Sequence, residues 1–292
     1  MTQEDIILNI MEEPCKEIGN AISQPIKAIK YFILDPIIKY NIAKESEYKE
    51  LEKELEKKIQ GIKKENLKEA KVRVLANINE GLKYSIDDSE LKEAFLNLLK
   101  SSIDKSKENE FHVSFSEILK QLEPDEARII EYLNSGDVFR FLIENKLPLP
   151  TNMIYPFSFI ENGRIPKIDV FKMTSNGAHN QYIKNFTWLS FLNFIETPEK
   201  INIYLDNLQR LNIIEIESQK YIANEIFYKS ILTEHPKVKT FINDPNYQIE
   251  KGYIQLTTVG KNLAKCCCNY DKLKEYKIID ERFFDEKILN QD

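Results

Sequence analysis

Apolar residues recur at helical spacing through most of the first half of the chain. Four of them, at positions 74, 75, 78 and 82, share one face of a helix predicted over residues 71–84. The run Asp87-Asp88-Ser89-Glu90 is typical of a helix start. It precedes a second amphipathic helix whose apolar face is formed by Leu91, Phe95, Leu98, Leu99 and Ile103.

Residues 45–71 are rich in Glu and Lys around a thin apolar stripe. The heptad phase of that stripe holds for only about two repeats, fewer than a coiled coil requires. The pattern therefore predicts a solvated helix that packs along one edge of the core.

Residues 25–44 form the most hydrophobic block of the chain. A helix that is apolar nearly all round is normally buried or in lipid. Four lysines against one aspartate give the block a net charge of +3 (4 − 1), and lysines can reach along apolar surface to lipid headgroups. Two hypotheses follow: a buried hairpin or homo-oligomer interface, and peripheral contact with the inner membrane face. The candidate contact residues are Ile26, Ile29, Phe32, Ile33 and Ile37.

The second half of the chain has mixed patterns. Strands are predicted at 157–160 and 167–173, an aromatic helix at 185–195, and a helix from Thr197-Pro198 to residue 212. A strand at 213–217, its partner at 253–256 and a helix from Thr257 follow. This order predicts a winged-helix-like domain with an insertion at 222–241. The predicted fold is mainly α with an α+β C-terminal half, divided into segments 1–44, 45–135 and 136–292.

One stretch, residues 111–133, carries information in the order of its residues. Ser114 to Glu117 fit a helix-start capping box. Pro124 suits the first turn of a following helix, where its missing N–H does no harm. Two helices in succession are therefore predicted.

This helix pair resembles the Abi-alpha family of bacterial abortive-infection proteins. The resemblance covers residues 71–133 and resumes at 256–266, and it implies antiphage defence in which an infected cell is arrested or killed before phage matures. The motif residues most relevant to a site are Ser114, Phe115, Glu117, Gln121, Leu122, Pro124, Asp125, Glu126 and Arg128.

The polar residues of this motif have ordinary structural uses. Acidic residues in a first helical turn, here Asp125 and Glu126, favour the helix macrodipole. Arg128 can pair with a nearby carboxylate, and Gln121 can satisfy backbone groups between the two helices. We therefore predict that these residues determine the fold and are not catalytic.

Charge and composition narrow the remaining function classes. A net charge of −6 weighs against a dedicated nucleic-acid binder. The helix predicted over 197–212 is neutral, with two basic and two acidic residues. His112, His179 and His235 each stand alone, and the cysteines, Cys15 and a run at 266–268, lack metal-ligand spacing. No catalytic residue, metal or cofactor is predicted.

The expected location is the cytoplasm, because the first residues are acidic where an export signal would be basic. The resemblance then favours a non-enzymatic effector that engages an unknown phage or host protein through its C-terminal half and acts through its N-terminal half. The rival hypothesis is a winged-helix DNA-binding transcriptional regulator.

Overall fold

A computed structural model describes residues 33–39, 45–144, 163–174, 177–192, 194–223, 228, 231–232 and 236–268. The chain divides into two compact units. The helical unit comprises Met1–Leu122 and Lys265–Cys268, and the sheet unit comprises Glu123–Ala264 and Asn269–Asp292. This boundary lies inside the motif, whereas the sequence places one near residue 135. The three-segment division stays a prediction.

The helical unit contains both short and long helices. Its helices are α1 Asp35–Lys39, α2 Glu45–Gln60, α3 Val72–Ser85, α4 Ser89–Ser102 and α5 Phe115–Leu119. The predicted start of α4 is confirmed, because the Asp88 carboxylate accepts the N–H groups of Glu90 and Leu91, both at 3.0 Å. The stripe of α2 is buried at Leu51, Leu55 and Ile59.

Helices α3 and α4 pack closely at Gly81. A Cβ atom at that position would lie 2.2 Å from Cζ of Phe95, so only glycine admits the Phe95 ring there. The predicted inward positions of both helices are buried, and the Phe95 ring is fully enclosed. This contact is part of the helical core.

Part of the apolar N-terminal block is described. Ile33 and Ile37 are fully buried, and α1 contacts α2 and α3 within the helical unit. Ile26, Ile29 and Phe32 lie outside the described residues. Within the described part of the chain, no helix combines the length and apolarity needed to cross a membrane.

The sheet unit combines helices with one antiparallel sheet. The sheet order is β2-β1-β4-β3, with β1 Arg164–Met173, β2 His179–Phe186, β3 Ile214–Glu217 and β4 Tyr247–Leu256. The helices are α6 Pro124–Glu144, α7 Ile201–Arg210, α8 Pro236–Ile242 and α9 Thr258–Cys267, whose last residues are counted with the helical unit. Helices in the first unit and helices with a sheet in the second confirm the predicted mainly α fold with an α+β C-terminal half.

The core of the sheet unit lies against β1 and β4. Buried residues from the strands and from the segments around them meet there: Ile168, Val170, Trp188, Tyr228, Ile231, Val238 and Tyr253. The Tyr228 hydroxyl, although buried, donates to the Gly252 carbonyl at 2.8 Å and accepts the Ile222 N–H at 2.9 Å. Both polar functions of this large side chain are thus satisfied inside the core.

The strand predictions had mixed outcomes. The pairing of 213–217 with 253–256 is confirmed as β3 and β4, with Ile214 opposite Leu256, and the strand at 167–173 lies within β1. The helix predicted over 185–195 is wrong. Strand β2 extends to Phe186, Asn185 has a left-handed φ of 50°, and only a short 3-10 turn, Trp188–Phe191, follows. The strand predicted at 157–160 lies outside the described residues.

Candidate functional site

The two halves of the sequence motif belong to different units. Ser114, Phe115, Glu117, Gln121 and Leu122 are part of the helical unit, and Pro124, Asp125, Glu126 and Arg128 are part of the sheet unit. Each half of the motif lies within one unit.

In the helical unit, the apolar motif residues Phe115 and Leu122 are buried. The capping box predicted from Ser114 is wrong. Ser114 already has helical backbone angles (φ −73°, ψ −11°), whereas a capping residue needs an extended conformation, and its side chain makes no capping bond. Its hydroxyl instead lies 2.7 Å from Nδ1 of His112.

The polar motif residues of this half lie at the surface. Gln121 is exposed, and its Nε2 donates to the Glu117 backbone carbonyl at 3.0 Å. The Glu117 carboxylate lies 2.9 Å from Lys120 Nζ, which also reaches Glu80 at 2.7 Å. Surface pairs of this kind contribute little to stability.

In the sheet unit, the Asp125 carboxylate is the centre of a buried polar cluster. It accepts the backbone N–H groups of Glu196 at 3.0 Å and Thr197 at 2.9 Å, and the Thr197 hydroxyl at 2.8 Å. Arg128 Nη1 donates to it at 2.8 Å, and Arg128 Nη2 reaches the Glu196 carboxylate at 2.6 Å. One buried carboxylate thereby fixes the turn that leads into α7.

The surroundings of Asp125 shift its acidity. Burial acts to raise the pKa of this carboxyl, but hydrogen bonds from Glu196, Thr197 and Arg128 outweigh it and hold the pKa below its usual value. Asp125 is therefore ionised at neutral pH although its side chain is only 4% exposed.

Glu126, the next residue, also connects the start of α6 to α7. Its Oε2 accepts the Glu123 N–H at 2.8 Å, which is the reciprocal bond of a capping box at the start of α6. Its Oε1 accepts from Asn207 Nδ2 of α7 at 2.8 Å. Burial raises the pKa of Glu126, and these hydrogen bonds only partly oppose the shift.

Tyr204 of α7 closes the cluster. Its hydroxyl contacts the Thr197 hydroxyl and donates to Glu123 Oε2 at 3.2 Å. Burial, together with the Asp125 and Glu123 carboxylates nearby, raises the pKa of Tyr204 to about 12. We name this set the junction cluster: Glu123, Asp125, Glu126, Arg128, Glu196, Thr197, Tyr204 and Asn207.

Five of the eight residues of the junction cluster were not identified from the sequence. Asp125, Glu126 and Arg128 are in the motif, but Glu123, Glu196, Thr197, Tyr204 and Asn207 are not. The Thr197 side chain lies 72 positions from Asp125 in the chain, and only the predicted helix start at Thr197-Pro198 marked this segment at all. No local pattern connects the two.

A second buried polar group lies on the sheet. Lys167 Nζ, almost wholly enclosed, contacts the Asp169 carboxylate and donates to the Ser218 hydroxyl at 2.7 Å. Asp169 Oδ1 also accepts the Asn185 N–H at 2.7 Å. Gly252 leaves room for the lysine, because a Cβ atom there would lie 2.8 Å from Lys167 Cε. The Lys167 side chain therefore links Asp169 to Ser218.

Among the residues that the structure describes, the cysteines and histidines form no metal-binding group. Cys266 and Cys267 are buried, and burial raises the pKa of Cys266 to about 11 and that of Cys267 well above its usual value. Both thiols are therefore poor nucleophiles. The described residues contain no group of three or more His, Cys, Asp or Glu able to hold a metal ion.

Comparison with known proteins gives one result. The model of a family described as abortive infection alpha matches residues 43–267, most of the chain, including the whole junction cluster. No curated protein and no solved structure matched the chain. On the extent of the family match, this chain is a member of the abortive infection alpha family.

Proposed function

We propose that this protein acts in antiphage defence of the abortive-infection type, as a non-enzymatic effector or sensor in the cytoplasm. The observation that carries the proposal is the family match over residues 43–267. The chemistry of the motif supports a structural role for its polar residues. Asp125, Glu126 and Arg128 direct their hydrogen bonds to their own unit.

The partner we propose is a phage or host protein bound by the sheet unit. Within the described residues, β2 is an outer strand, and the side chains at its start are mostly exposed. Tyr182 of β2 is 45% exposed and packs against Phe241 and Tyr247, with ring centroids 5.5 and 5.6 Å away. An outer strand that carries an exposed tyrosine suits protein recognition by added strand pairing.

The second candidate function is a winged-helix DNA-binding regulator. The order of α7, the β3–β4 pair and α9 favours it. Several features oppose it. Strand β4 also pairs with β1 along most of its length, and Lys200 lies 3.5 Å from the Glu123 carboxylate. The Arg210 guanidinium donates to Asn207 Oδ1 at 2.7 Å. Lys200 and Arg210 are the two basic residues of the helix predicted over 197–212, and both already contact other side chains of the protein.

We expect no strong DNA binding. The protein carries a net charge of −6, and the helix predicted over 197–212 has no net positive charge to offer to DNA phosphates. Its affinity for random duplex DNA should therefore be weaker than about 1 µM near physiological salt. A gel shift at low and physiological salt measures this. Tighter binding at physiological salt would contradict the effector proposal and favour the regulator.

The defence role is tested by infection. Hosts that express the wild-type chain should form fewer plaques than an empty-vector host across a panel of phages. In liquid culture, protected cultures should survive at low phage-to-cell ratio and collapse at high ratio, because infected cells die before phage is released. Unchanged plaque counts throughout the panel, with folded protein detected in the cells, would reject the role.

A further inference from the structure

We draw no further inference here: the strongest candidate, the exposed apolar side chains of Met173, Tyr182 and Ile242 beside the outer strand β2, carries none because nothing in the described part of the chain shows what covers them, and strand addition at this edge already belongs to the proposed function.

Discussion

Asp125→Ala is expected to lower the free energy of unfolding by about 3–5 kcal/mol, the cost of removing one partner from a buried charge pair. The substitution leaves the N–H groups of Glu196 and Thr197 without their acceptor and the Arg128 guanidinium, 13% exposed, without its buried carboxylate. Most proteins are stable by only about 5–15 kcal/mol. The sheet unit should therefore be partly unfolded at growth temperature, and protection against phage should be lost.

The control for this variant is Asp206→Ala in the same unit. Asp206 is 57% exposed and pairs at 2.9 Å with Lys184, which is 49% exposed. Removing such a pair should cost less than about 1 kcal/mol. Urea unfolding followed by the fluorescence of Trp188, the single tryptophan and a buried residue of the sheet unit, reports on the relevant core. If Asp125→Ala unfolds like the wild type but abolishes protection against phage, Asp125 acts directly in function and not through the stability of the fold.

The pH dependence of the free energy of unfolding provides a second test of this prediction. The pKa of Asp125 is lowered in the folded state, so its contribution is fully present above the usual value of 3.8 and is lost as pH falls through the folded pKa. The stability difference between wild type and Asp125→Ala should therefore shrink on acidification.

Glu126 should show the opposite pH dependence. Its pKa is raised above 4.5, so its contribution decreases as pH rises through the folded pKa.

Helices and their caps were the most predictable part of this fold. The start of α4 at Asp88 and the buried faces of α3 and α4 follow from spacing and local chemistry alone. The same local logic failed at Ser114, where Ser-x-x-Glu matches a capping box but the serine already has helical backbone angles. The reciprocal bond occurs instead between Glu126 and the Glu123 N–H.

Neither strand β2 nor the junction cluster could be predicted from the sequence pattern, and the reasons differ. The β2 sequence, HNQYIKNF, lacks apolar alternation because the strand lies at the outer side of the sheet and is largely exposed. The junction cluster depends on contacts across about seventy residues. Family resemblance marked Asp125 and Arg128, but only the folded chain identifies Thr197 and Glu196 as their partners.

The N-terminal block leads to the other large expected effect. Ile33 and Ile37 are fully buried within the helical unit, where α1 contacts α2 and α3. The double variant Ile33→Ser, Ile37→Ser should lose about 1.5–3 kcal/mol for each buried side chain. Circular dichroism melts should therefore show a large loss of helical stability. Asp35→Ser, an exposed change in the same helix, is the control and should melt like the wild type.

The same variants separate a core role from membrane contact. If residues 25–44 bind lipid, the wild-type protein should float with anionic vesicles, attracted by the lysines of the block, and the double variant should stop floating while remaining folded. Burial of Ile33 and Ile37 favours the opposite result: no flotation of the wild type and unfolding of the variant. Flotation of wild-type protein together with a native-like melt of the double variant would overturn the core interpretation, because the two isoleucines would then serve the lipid surface and not the packing of α1.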